Sequence, residues 1–103
     1  MNLTRLKMLE QFVHDEPDDP FNLYALAIEY QAFDKAKATP LFDKLLTEHP
    51  DYIPTYYQAG NLFWENGEEE KALSVLRLGV SKAKAARDRK AAGELQSLID
   101  AFE

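Results

Sequence analysis

Residues 23–30, Leu-Tyr-Ala-Leu-Ala-Ile-Glu-Tyr, and residues 56–63, Tyr-Tyr-Gln-Ala-Gly-Asn-Leu-Phe, are two copies of one helical pattern. In each, the apolar or small residues fall at i, i+3, i+4 and i+7: Leu23, Leu26, Ala27 and Tyr30 in the first, Tyr56, Ala59, Gly60 and Phe63 in the second. That spacing gathers them on one face of an α-helix. A second shared pattern follows each copy: Ala38, Phe42, Leu45, Leu46 and Pro50 after the first, Ala72, Leu76, Gly79 and Val80 after the second. The front halves are offset by 33 residues and the back halves by 34, so the repeating unit is a pair of helices.

A period of this length built from two helices marks an array whose units bury their apolar faces only by stacking. The pattern resembles the tetratricopeptide repeat family, whose first helix carries large, small and aromatic residues at fixed spacing and whose second carries an alanine, an aromatic and a closing proline. Tyr56, Gly60, Phe63, Ala72 and Leu76 carry the resemblance in the second copy. Leu23, Leu26, Ala27, Tyr30, Ala38, Phe42 and Pro50 carry it in the first, with conservative exchanges. It continues in both directions. Leu9, Phe12, Val13 and Pro17 stand in register with Phe42, Leu45, Leu46 and Pro50, so the N-terminus looks like the second helix of a preceding half-repeat; Leu95, Leu98, Ile99 and Phe102 repeat the first-helix spacing and look like a closing helix. The expected fold is all-α, a right-handed α-α superhelix of about six helices near 3–15, 20–32, 35–48, 53–66, 69–86 and 89–102. Residues 1–103 are expected to form a single domain: a half-repeat over 1–17, repeats over 20–50 and 53–86, and a capping helix over 88–103.

Local signals support these boundaries. Asp19-Pro20 is a cap followed by a proline at the first helical position, where a missing N–H is harmless. Asn66-Gly67 is a left-handed stop, and Glu68, Glu69 and Glu70 follow where the next helix's dipole favours negative charge. Lys82, Lys84 and Arg87 lie at that helix's far end, where positive charge is favoured. Pro40 conflicts with the pattern, because a proline inside a helix removes a hydrogen bond and crowds the preceding turn. Either that helix starts late, with Thr39 as cap, or it is kinked near residue 36.

Composition narrows the function. Cysteine is absent, which excludes disulfides, thiolate metal sites and cysteine catalysis. Arg5, Lys7 and Glu10 interrupt the first apolar stretch, so neither a signal peptide nor a membrane span is expected there and a cytoplasmic location is the default. Asn2-Leu3-Thr4 fits a glycosylation triplet that has no secretion signal to support it. The net charge of −6 argues against nucleic-acid binding, which needs a positive footprint. Half of the twelve Lys and Arg residues nevertheless lie between Arg77 and Lys90, as a solvated face complementing a helix C-terminus or as a dock for an acidic partner. His14 and His49 sit near helix ends without the i, i+4 pairing of a metal-binding helix and read as solvated. No glycine-rich phosphate loop or nucleophile elbow occurs, so no enzyme activity, cofactor or metal is expected.

What the resemblance implies about function lies on the surface the repeat core leaves over. In the family the first helix of each pair lines a concave groove that takes extended peptides or partner helices. Rotating one position from the core stripe gives Phe21, Tyr24, Ile28 and Gln31 in the first repeat and Tyr57, Gln58, Asn61 and Trp64 in the second. These rigid aromatics and amides suit recognition. The same stripe also suits plain packing, with Trp64 under the closing helix, or self-association as a homodimer, for which Leu3, Leu6, Leu9, Phe12 and Val13 give the first helix a broad apolar side. Family members that hold a C-terminal carboxylate use cations on three successive first helices. The matching places here are Tyr24, Ile28, Gln58, Asn61, Gln96, Ser97 and Asp100, with no cation. The expected partner is therefore a protein or peptide segment that is apolar and neutral or basic, rather than an acidic tail.

Overall fold

In the computed structural model, which describes residues 2–103, the chain forms six helices: α1 (Leu3–Asp15), α2 (Pro20–Gln31), α3 (Lys35–Glu48), α4 (Pro54–Glu65), α5 (Glu69–Ala85) and α6 (Arg89–Phe102). No strand occurs among the described residues. These boundaries agree with the periodicity to within one residue at either end. The helices fall into two compact units, one running to His49 and the other comprising Pro50–Glu103.

In the first unit α2 packs on α3, and α1 packs on α2. The repeat positions Leu23, Leu26, Ala27, Tyr30, Ala38, Phe42 and Leu45 are all buried. Burying a side chain the size of Leu or Phe stabilises by roughly 1.5–3 kcal/mol, so this row holds α2 and α3 together. Leu9 is the one buried residue of α1. Polar links supplement it: the Tyr30 hydroxyl donates to the Glu10 carboxylate, and Arg5 pairs with Glu29 at 3.3 Å. Asn2 is the cap of α1, its Oδ1 accepting from the Arg5 amide at 2.9 Å, which gives that residue a structural role. Asp19 caps α2 in the same way, through the Phe21 amide.

Of the two readings that Pro40 leaves open, the late start with Thr39 as cap is not found. The helix begins at Lys35 with Asp34 as its cap and runs unbroken through Pro40 to Glu48, while Thr39 lies inside it and donates its hydroxyl to the Lys35 carbonyl at 3.0 Å. An aspartate at the earlier boundary is the stronger cap, and the proline removes only its own backbone bond.

In the second unit α5 packs on α4 and on α6, and α4 also meets α6. Two glycines permit this. A Cβ on Gly60 would stand 2.6 Å from Leu76 Cγ, and one on Gly79 would stand 2.6 Å from Tyr56 Cβ and 3.1 Å from Leu95 Cδ1. Both turns of the unit close on the same hydrogen-bond pattern. After α4, the Glu68 amide donates to the Phe63 carbonyl and the Gly67 amide to Trp64; after α5, the Asp88 amide donates to Ala83 and the Arg87 amide to Lys84. This arrangement needs a left-handed residue at its apex. Gly67 supplies φ +83° in the first turn, and Arg87 supplies φ +59° in the second.

Candidate interaction surface

The residues expected to line the binding face lie on α2 and on α4, on a stripe adjoining each buried row. On α2, Phe21 is 65% exposed, and Tyr24, Ile28 and Gln31 are half-buried. On α4, Tyr57 is 36% exposed, while Gln58, Asn61 and Trp64 are half-buried. Trp64 stacks on Phe102 of α6, ring centroids 4.1 Å apart and planes 5° from parallel. The indole therefore has an intramolecular neighbour on one side.

Within the second unit the α4 stripe continues onto α6. Tyr57 borders an open furrow of about 530 Å³ whose other walls are Arg89, Lys90, Gly93, Glu94 and Ser97. Because Tyr57 meets the start of α6 and Trp64 meets its end, α4 and α6 run parallel. The buried row of α6, Leu95 and Ile99, stands 36 residues on from Ala59 and Phe63, and at that offset Gly93 and Ser97, which line the furrow, take the places of Tyr57 and Asn61. Of the α6 residues expected on this side, Gln96, Ser97 and Asp100, Ser97 lines the furrow, while Gln96 and Asp100 do not. Those two side chains bond each other at 3.0 Å. Arg89 and Lys90 also bring cations to the furrow, at positions other than the matching places Gln96, Ser97 and Asp100.

The signature tyrosines point inward rather than into the stripe. Burial, reinforced by the hydrogen bond to Glu10, the charge of Glu10 and that of Asp34, pushes the Tyr30 phenol up to about 12. Burial, then the charge of Asp51, raises that of Tyr56, whose hydroxyl donates to the Pro50 carbonyl. His14 is exposed as expected, but His49 is not fully solvated: at the C-cap of α3 its Nε2 is buried without a hydrogen-bond partner. Among the described residues no group of three or more His, Asp or Glu side chains is placed to hold a metal ion, and no helix is long and apolar enough to cross a membrane.

No protein-family model and no curated protein matches the chain. Solved structures do. It is similar to a solution NMR structure of a tetratricopeptide repeat domain protein from Salinibacter ruber, with 34% identity and a TM-score of 0.80 over 85% of this chain and 90% of that one. It is also similar to a crystal structure of a tetratricopeptide repeat domain protein from the same organism, with 33% identity and a TM-score of 0.77 over 82% of this chain and 96% of that one. Repeat spacing, helix-pair packing and these likenesses agree, and the chain belongs to the tetratricopeptide repeat family.

Proposed function

We propose that this protein is a protein-interaction module that takes a short partner segment on the stripes beside its buried rows. The observation that carries the reading is the row of partly exposed aromatic and amide side chains in each unit: Phe21, Tyr24, Ile28 and Gln31 on α2, and Tyr57, Gln58, Asn61 and Trp64 on α4. Aromatic faces supply affinity at low entropy cost, and the amides of Gln58 and Asn61 fix register on a peptide backbone. Neither stripe on α2 or α4 contains a cation, which favours an apolar segment with neutral or basic neighbours there. Catalysis is no part of this reading.

The test is capture from lysate of the source cell by the parent and by a Tyr24→Ala, Tyr57→Ala, Asn61→Ala variant that melts like it, followed by titration with peptides from whatever the parent alone retains. Loss of those partners in the variant supports the stripe; equal retention moves the site elsewhere.

Self-association is a second reading with its own observation. Leu3, Met8 and Phe12 of α1 are 59%, 50% and 43% exposed, more apolar surface than a helix end usually leaves in water. A Phe12→Glu, Met8→Glu variant should then shift a concentration-dependent sedimentation profile to monomer, and a parent that is monomeric throughout rejects it.

A further inference from the structure

The charges of this acidic protein are unevenly matched. Arg5 pairs with Glu29, Lys44 with Asp18, Lys71 with Glu68, Arg77 with Glu103 and Lys82 with Asp51. At the turn from α5 to α6 the matching stops. Lys84, Arg87, Arg89 and Lys90 are all exposed, and none has a carboxylate within ion-pair distance among the described residues. The one acid among them, Asp88, is occupied in capping α6, its Oδ1 accepting from the Ala91 amide at 3.0 Å. Lys84, Arg87, Arg89 and Ala92, with Asp88, surround a cavity of about 450 Å³, and Arg89 also borders the furrow beside Tyr57.

Arg87 adds an independent observation. It holds φ +59° at a turn whose counterpart after α4 uses Gly67. A left-handed conformation costs a residue with a Cβ roughly 1 kcal/mol relative to glycine, so the guanidinium stands where glycine would be more stable. Strain retained at an exposed position is a pointer to function.

We propose that the α5–α6 turn is a second docking site, for an acidic, extended segment of a partner protein, lying over Lys84, Arg87 and Arg89 with an apolar side chain against Ala92. Charge complementarity selects the occupant. Arginine's planar fork grips carboxylates in pairs, and an extended chain can offer acids to several cations in turn. No terminal carboxylate is required, and the site touches the α4 stripe only through Arg89, which also borders the furrow beside Tyr57. A nucleic acid or a membrane fits less well, because both need a broad basic surface and this patch is confined to one turn of a protein carrying −6 overall.

The experiment is fluorescence anisotropy of the full-length chain with a labelled peptide of Asp and Glu around one central Phe. The controls are the same peptide built on Asn and Gln, single-stranded oligothymidylate, and phosphatidylserine vesicles. The decisive variant is Arg87→Gly, Arg89→Gln, because glycine at the left-handed position preserves or improves the turn and separates binding from folding. The proposal predicts saturable binding of the acidic peptide alone, weakened by salt and weakened about tenfold or more in the variant, whose melt is unchanged or higher. Absence of binding by the parent, equal binding by the variant, or oligothymidylate or vesicles bound as tightly as the peptide would each overturn it.

Discussion

Trp64 and Phe102 lie face to face at 4.1 Å, and this single stack joins the end of α4 to the end of α6. Phe102 is the last residue of its helix, held half-buried where a terminus would ordinarily fray. Stacked aromatic pairs contribute about 0.5–1.5 kcal/mol beyond the area they bury. Phe102→Ala is therefore expected to lower the unfolding free energy by more than that amount. A double-mutant cycle with Trp64→Leu should return a coupling of about 0.5–1.5 kcal/mol, and additive effects would show that the rings are merely neighbours.

The two helix-packing glycines should respond differently to the same added methyl. At Gly60 the methyl meets Leu76 at Cγ and beyond, a branched end that another rotamer can relieve. At Gly79 it meets Tyr56 Cβ, which moves only with its backbone. Alanine gains about 1 kcal/mol of helix propensity over glycine at either place. Gly79→Ala is nonetheless expected to destabilise by about 1–3 kcal/mol and Gly60→Ala by less, while Gly60→Leu should cost about 1–3 kcal/mol or more. Denaturant midpoints settle the order, and a Gly79→Ala protein as stable as its parent would refute the packing described.

Most of the buried row was legible in the sequence, because a helix period of 3.6 leaves few choices once one face is apolar. Every first-helix repeat position from Leu23 to Phe63 is buried as expected; of the second pattern Leu46 and Pro50 are half-buried, and in the N-terminal half-repeat Val13 is half-buried and Phe12 exposed. Pro40 raises a late start or a kink as alternatives for α3, but the helix begins at Lys35 as its periodicity suggests, with Asp34 as cap. On α6 the pattern places Ser97 beside the furrow but does not bring out Arg89, Lys90, Gly93 and Glu94, because Leu95 and Ile99 mark the buried face without showing how far along the helix Tyr57 reaches. Arg87 could not be foreseen, because nothing in a run of Lys, Ala and Arg announces a left-handed backbone.

Those two left-handed residues make a matched pair for substitution. Gly67→Ala is expected to lose about 1 kcal/mol, the steric cost of a Cβ at φ +83°, and Arg87→Gly to be neutral or to gain up to about 1 kcal/mol, because the native turn already asks for glycine. Thermal melts of both variants check the pair; a marked loss for Arg87→Gly would mean its side chain contributes to the fold.

Stability should fall on the alkaline side through Tyr30. Below pH 10 the phenol is protonated both folded and unfolded, and its contribution is intact. As pH rises from 10.0 towards about 12 the unfolded chain ionises first while the folded one keeps its proton, so unfolding gains. Tyr30→Phe should therefore be less stable than the parent near neutrality yet lose less between about pH 10 and about pH 12. Urea midpoints across that range read it directly, and parallel pH slopes for the two proteins would sink the assignment.

Surface pairs should matter far less. Arg77 meets Glu103 at 2.6 Å, but both side chains are about half exposed, and such pairs contribute about 0.2–1 kcal/mol. Arg77→Ala is expected within that range, and Lys84→Ala, which breaks no pair, close to zero. A loss beyond about 2 kcal/mol from either in calorimetry would mean that these chains pack as well as pair.

Within each unit, every helix packs only on helices one or two places along the chain. The loops that must close before a contact forms are therefore short, and little chain entropy has to be surrendered in advance of the stabilising burial. Proteins wired this way fold in about microseconds to milliseconds. The same local wiring means that α4 and α5 can meet during synthesis before α6 emerges behind them to lay Phe102 against Trp64.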